Sequence, residues 1–127
     1  MIVAVGVDII EVDRIRRAVD NPRTGARFRE RVYTADEIAY CLKRRTSAES
    51  FAARFAAKEA VMKVLGQGFG DGIGWREIEV VRGSGRPSIV LSGRARERAS
   101  DIGAARWHLS LTHTAAHAVA YVVAETA

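Results

Sequence analysis

Cysteine is almost absent: Cys41 is the only one, so no disulfide can form within the chain. Histidine is scarce as well, and His108, His113 and His117 have neither cysteine neighbours nor the spacing of a zinc site. Only four Phe, two Trp and three Tyr are present, and few of them lie among the arginines. That counts against a base-stacking surface, and no zinc-finger, RNP or helix-turn-helix pattern replaces it. No apolar run reaches membrane-span length, because the opening Met1 to Ile10 is cut by Asp8 and has no basic n-region. A Ser elbow of the GxSxG type, a Walker loop and a GxGxxG turn are all missing. With no linker, low-complexity segment or solenoid repeat, the expectation is one domain over residues 1–127 in a reducing, cytoplasmic setting.

What the chain does have is a globular make-up: 127 residues, 48% hydrophobic and 28% charged, with a formal net charge of +5. The charge is regional. From Arg14 to Arg45 there are ten basic and four acidic residues, a surplus of +6, and the remainder sums to −1. A face of that kind attracts an anionic partner, whether nucleic acid, an acidic protein or a phosphorylated small molecule, and charge alone does not choose among them.

Residues Ile2 to Ile10 are apolar and β-branched and read as a buried, central strand; Val12 to Val19 reads as a helix. Asn21-Pro22 with Gly25 marks a turn, and Thr34-Ala35-Asp36-Glu37 is a capping box opening a helix toward Arg45. The strongest helix runs from Ser47 to Leu65, with Ser47 or Ser50 as cap and Gly66 as the stop. Glycines then recur at 66, 68, 70, 72 and 74. From Trp75 the period becomes two, giving a hairpin through Gly83-Ser84-Gly85, then a short helix over Gly93 to Ile102. Two further strands, His108 to Thr114 and Ala118 to Ala124, close the sheet. The pattern is α+β, a mostly antiparallel sheet on a long central helix.

On a helical wheel Phe51, Phe55, Met62 and Leu65 form one stripe, with Lys58 inside it, Arg54 on one shoulder and Glu59 and Lys63 on the other. The rest is almost all alanine and valine, so the helix is buried and its charges must be paired or line a cavity for a charged ligand. The plain alternative is a Glu59–Lys63 ion pair with Arg54 and Lys58 snorkelling to the surface. Asp8, a second acid in an apolar run, favours the cavity: Asp8 and Glu59 together suit Mg²⁺, a hard ion bound by one or two carboxylates plus substrate phosphates.

Three segments carry a family resemblance: Gly6-Val7-Asp8-Ile9 with its continuation to Ile15, Phe51 to Gly66 with Lys58-Glu59-Ala60 and Lys63 inside it, and Trp107 to Thr114 with Ser110-Leu111-Thr112-His113. In this order and across the whole chain they resemble the AcpS-type holo-acyl-carrier-protein synthases, the short 4′-phosphopantetheinyl transferases. The resemblance implies transfer of the 4′-phosphopantetheine arm from coenzyme A to a serine of an acidic apo acyl carrier protein, releasing adenosine 3′,5′-bisphosphate, in support of fatty acid biosynthesis. It implies Asp8 and Glu59 as Mg²⁺ ligands, Lys63 on the phosphates, and Arg54, Lys58, Gly66, His108 and His113 as further coenzyme A contacts. The base for the serine is left open among Glu59, a metal-bound water and His113. Where some relatives carry an aspartate after this histidine the chain has Thr114, so no role of that acid passes to it. Arg14 and Arg17 would dock the carrier, and the family's homotrimer, with active sites between protomers, is the expected assembly.

Two rival readings differ in class: a basic nucleic-acid-binding module using the Arg14 to Arg45 region, and an enzyme on another phosphate ester with the same metal site. Mg²⁺-dependent binding of coenzyme A separates the first, and product analysis the second.

Overall fold

The computed structural model describes residues 1–83 and 85–127. Its centre is α4 (Ser47–Leu65), laid across the inner face of a three-stranded antiparallel sheet in the order β1 (Ile2–Glu11), β5 (His117–Glu125), β4 (Arg106–His113). Around it are α1 (Val12–Val19), α2 (Gly25–Val32), α3 (Ala35–Lys43), the antiparallel pair β2 (Ile78–Val81) and β3 (Ser88–Leu91), and α5 (Gly93–Asp101). Two 3₁₀ turns, Phe69–Asp71 and Trp75–Glu77, occupy the glycine-rich stretch. The α+β architecture expected from the pattern is the one that forms.

Small residues bring helix and sheet together. Ala56, Ala57 and Ala60 of α4 are fully buried, as are Ala118, Ala120 and Ala124 of β5. At Gly6 a Cβ would come within 2.2 Å of the Ala60 carbonyl oxygen, so only glycine allows β1 to lie this close to α4. Phe51 and Leu65 then fill the core, each stabilising it by about 1.5–3 kcal/mol through the apolar surface it removes from water.

Several expectations need correction. The first strand is neither central nor buried on both faces: β5 pairs with both neighbours and takes the middle, leaving β1 on the edge with Val5, Val7 and Ile9 exposed. There are two sheets instead of one, because β2 and β3 pair only with each other. The turn expected at Gly83-Ser84-Gly85 includes Ser84, which lies outside the described residues. Neither Ser47 nor Ser50 caps α4; Thr46 holds the cap position without a side-chain bond. Helix α2 forms directly after the Asn21 turn, which the sequence pattern did not mark as helical. Its apolar contribution is only Phe28 and Val32, four residues apart among charged neighbours. The Thr34 capping box, with Glu37 at its third position, and the Gly66 stop are as expected.

Candidate active site

Helix α4 presents polar side chains to two separate clefts. On the first side, the close approach at Gly6 sets Asp8 of β1 beside the last turns of the helix. Lys63 donates from Nζ to the Val7 carbonyl at 2.8 Å and to Asp8 Oδ1 at 3.2 Å. Glu59, one turn earlier, is half-buried. Its burial, and after it the nearby Asp8 carboxylate, hold its carboxyl above the usual range, while Lys63 and Arg14 pull the other way. A cleft of about 360 Å³ opens here, lined by Glu59, Lys63, Gly66, Gln67, Phe69 and Trp75. Gly66 closes the helix in the left-handed conformation, φ 68°, which turns the chain back along the cleft wall. Trp75 stacks between Phe55, 5.0 Å away, and Phe69, 5.9 Å away.

On the second side lies Arg54. Five residues from Glu59 at 100° each put the two side chains about 140° apart around the helix. The Arg54 guanidinium is only 3% exposed and stacks over the Tyr40 ring, 4.2 Å from its centroid. Its Nε has no hydrogen-bond partner among the described residues. It lines a cleft of about 300 Å³ with Tyr40, Arg44, Ser50, Arg82 and His113. A buried cation with an open donor, beside two more arginines, suits an anion. His113 Nδ1 lies 3.4 Å from Glu49 Oε2 at its edge.

The structure therefore lines one cleft with Glu59, Lys63 and Gly66, holds Asp8 against Lys63 beside it, and places Arg54 and His113 at another. Two expected contacts belong to neither. Lys58 is fully buried and lines neither, with its ammonium bound to Glu37 Oε1 at 2.7 Å, to the Trp75 carbonyl at 3.2 Å and to the Ile78 carbonyl. No donor remains for a phosphate. His108 points to the outer face of the sheet, because residues of even number on β4 alternate away from His113, and its Nε2 lies 2.6 Å from Glu125 Oε1. Nor does the plain alternative describe the helix: Lys63 turns to Asp8 and not to Glu59, and neither Arg54 nor Lys58 reaches the surface. Arg14 and Arg17 stand exposed on α1, with Arg14 close enough to act on the Glu59 carboxyl.

Sequence reasoning missed Tyr40, Arg82, Gln67, Phe69 and Trp75 as cleft residues. Phe69 and Trp75 had a usable signal, since the first falls inside the glycine series and the second directly after it in a chain poor in aromatics. The Asp8–Glu59 pair has no third acid, histidine or cysteine beside it among the described residues. Were the pair to hold a metal ion, it would leave coordination positions to a ligand.

The model of the 4′-phosphopantetheinyl transferase superfamily matches residues 4–122. A holo-[acyl-carrier-protein] synthase of Koribacter versatilis is 47% identical over 126 residues, 98% of this chain and 99% of the relative. That of Ruminiclostridium cellulolyticum is 49% identical over 120 residues, 93% of this chain and 88% of its own. Among solved structures, the Bacillus anthracis holo-(acyl-carrier-protein) synthase in complex with CoA (3′,5′-ADP) superposes with a TM-score of 0.80 at 35% identity, covering 100% of this chain and 99% of that one. The Neisseria meningitidis synthase gives 0.84 at 31% identity, covering 99% and 100%.

Proposed function

The chain belongs to the 4′-phosphopantetheinyl transferase superfamily, and on that footing we propose that it transfers 4′-phosphopantetheine from coenzyme A to a serine hydroxyl of an apo acyl carrier protein. The serine oxygen attacks the phosphorus that carries the pantetheine arm. The bond from that phosphorus to the bridging pyrophosphate oxygen breaks, adenosine 3′,5′-bisphosphate leaves with the electron pair, and the serine proton passes to a base. The observation that carries this reading is the cleft lined by Glu59 and Lys63, with Asp8 bonded to Lys63 and close enough to act on the Glu59 carboxyl.

Asp8 and Glu59 are the residues that would hold Mg²⁺. Two neighbouring carboxylates, all-oxygen and with room left for phosphate and water, fit a hard ion of that kind. When bound, it supplies neutralisation of the charge that builds on the pyrophosphate and the departing bisphosphate. Lys63, more than half exposed, offers its ammonium to the same phosphates. Arg54, with His113, Arg44 and Arg82 around it, is suited to a separate phosphate such as the 3′-phosphate. Of the two protein bases in question, Glu59 stands in the Lys63 cleft; His113 reaches the reacting serine only where a neighbouring copy completes that cleft. Arg14 and Arg17 would receive the acidic carrier protein, and Arg14 stands beside Glu59.

The reading includes a homotrimer with active sites between protomers. Its support is twofold. The two clefts of one chain open on opposite sides of α4, so one polyphosphate ligand engages both only across two copies. The outer face of the sheet also leaves Val5, Val7 and Ile9 51%, 51% and 63% exposed, with Tyr121 at 47% beside them, an apolar strip that marks a contact surface. Among the described residues no helix is long and apolar enough to cross a membrane. The proposal extends to the cytoplasm as the setting and fatty acid biosynthesis as the use of the product.

The test is intact-mass spectrometry of an apo acyl carrier protein incubated with the protein, coenzyme A and Mg²⁺. A gain of one phosphopantetheine, lost with EDTA and in Asp8→Ala and Glu59→Ala, is the expected result. No gain with several carrier proteins, while the protein is folded, overturns the reading.

A further inference from the structure

A lysine at position 58, on an otherwise apolar helix face, is not needed to fill the core. A methionine occupies similar space without the cost of desolvating an ammonium. What the charge does is visible in its partners. Lys58 Nζ meets Glu37 Oε1 at 2.7 Å, the Trp75 carbonyl at 3.2 Å and the Ile78 carbonyl, so all three donors are used. Glu37 in turn accepts from Thr34 N on Oε1 and from Val80 N on Oε2, both at 3.0 Å. Burial depresses the proton affinity of Lys58, and the Glu37 carboxylate is the main influence restoring it. The two carbonyls it holds are the first residue of the Trp75–Glu77 turn and the first of β2, so they bracket the segment that ends the glycine-rich stretch. The Trp75 ring, together with Phe69 stacked on it, forms the wall of the cleft that contains Glu59 and Lys63.

We propose that Lys58 is a positioning residue: by holding the Trp75 and Ile78 carbonyls it fixes the Trp75–Phe69 wall, and through it the coenzyme A subsite beside Glu59 and Lys63. The proposal rests on the phosphopantetheinyl transferase reading for the identity of the ligand, but not for the position of the wall. Preorganised walls raise affinity by removing the cost of ordering them on binding, so releasing this one weakens the ligand without changing any group that touches it.

The experiment uses a Trp107→Phe background, which leaves Trp75 as the sole indole. Lys58→Met is paired with Glu37→Gln so that no unpaired charge stays buried. With folding checked by circular dichroism, acrylamide quenching of Trp75 is expected to rise and the coenzyme A Kd, by titration calorimetry, to rise about tenfold, with the KM for carrier protein within about twofold. Phe69→Ala alone is expected to raise the coenzyme A Kd about tenfold and to add less than about twofold in the paired variant, since both changes act through one wall. Lys58→Arg keeps a charge opposite Glu37 but cannot reproduce the two carbonyl contacts, and is expected to show the same quenching if the paired variant does not fold. Folded variants with unchanged quenching, or fully additive losses with Phe69→Ala, overturn the proposal. Should the unsubstituted protein show no affinity for coenzyme A, the functional reading fails, and the quenching experiment still decides the role of Lys58.

Discussion

Lys63 bonds to Asp8, 55 residues away, and not to Glu59, one turn back on its own helix. An i,i+4 pair is the local choice for a helical lysine. Its rejection leaves Glu59 without a bonded cation among the described residues, and ties the Lys63 ammonium, in the same cleft as Glu59, to a second carboxylate. Lys63→Met is therefore expected to lower kcat/KM for coenzyme A by about 10²- to 10³-fold. Its melting temperature stays near that of the parent, because the side chain is 55% exposed. A loss under threefold in a mass-spectrometric time course removes Lys63 from the site.

Arg14 and Arg17 lie on exposed positions of α1, within the segment that carries the +6 surplus. Arg17→Glu is expected to raise the KM for carrier protein at least about tenfold at low salt, to lose most of that effect at high salt, and to leave coenzyme A affinity unchanged. Equal losses for both substrates would place the residue in the nucleotide site and refute docking on α1.

The exposed valines and isoleucine of β1 give the proposed homotrimer its own test. Val7→Glu puts a carboxylate in the middle of the apolar strip, where a buried charge without a partner is costly. Sedimentation should show monomers, and transfer activity should fall with them because each cleft loses its neighbour. A variant that is monomeric and fully active denies the shared site.

Cys41 is fully buried, and burial pushes its thiol from 9.0 up to about 12, against a smaller opposing pull from Arg54. An acid raised on folding stays neutral in the native state while its unfolded counterpart ionises. Its contribution is thus complete below pH 9.0 and is lost as pH rises from there toward 12. Comparing melting temperatures of the parent and Cys41→Ala across that window should show the parent falling more steeply. Iodoacetamide at pH 8 should leave Cys41 unmodified until the chain unfolds. Rapid alkylation of the native protein contradicts the burial.

How much of this was legible in the sequence depends on how local the cause is. The ends of α4 at Ser47 and Leu65, the Thr34 capping box and the α+β order follow from neighbouring residues and were readable. Asp8 and Glu59 were readable as acids in apolar surroundings. What could not be read was pairing at a distance. Glu37 looks like a capping residue and is one, yet the same Oε1 that caps the helix also meets Lys58 and its Oε2 binds β2, which no helix pattern encodes. The same limit made Lys58 look like a phosphate ligand and put β1 at the centre of the sheet. Which strand sits in the middle is decided by β5, which arrives last in the chain and pairs on both sides. The family resemblance grouped His108 with His113 as coenzyme A contacts, though the pleat sends them to opposite faces.

The contact of Gly6 with Ala60 sets one further condition on the chemistry. Across most of a protein interior, two functional groups on different elements can be re-spaced by exchanging the side chains packed between them. Here no such adjustable layer exists, since main chain touches main chain. The gap between the Asp8 and Glu59 carboxylates is therefore set by the backbone, and in the metal site proposed above a distant distortion of either element would reach it undamped.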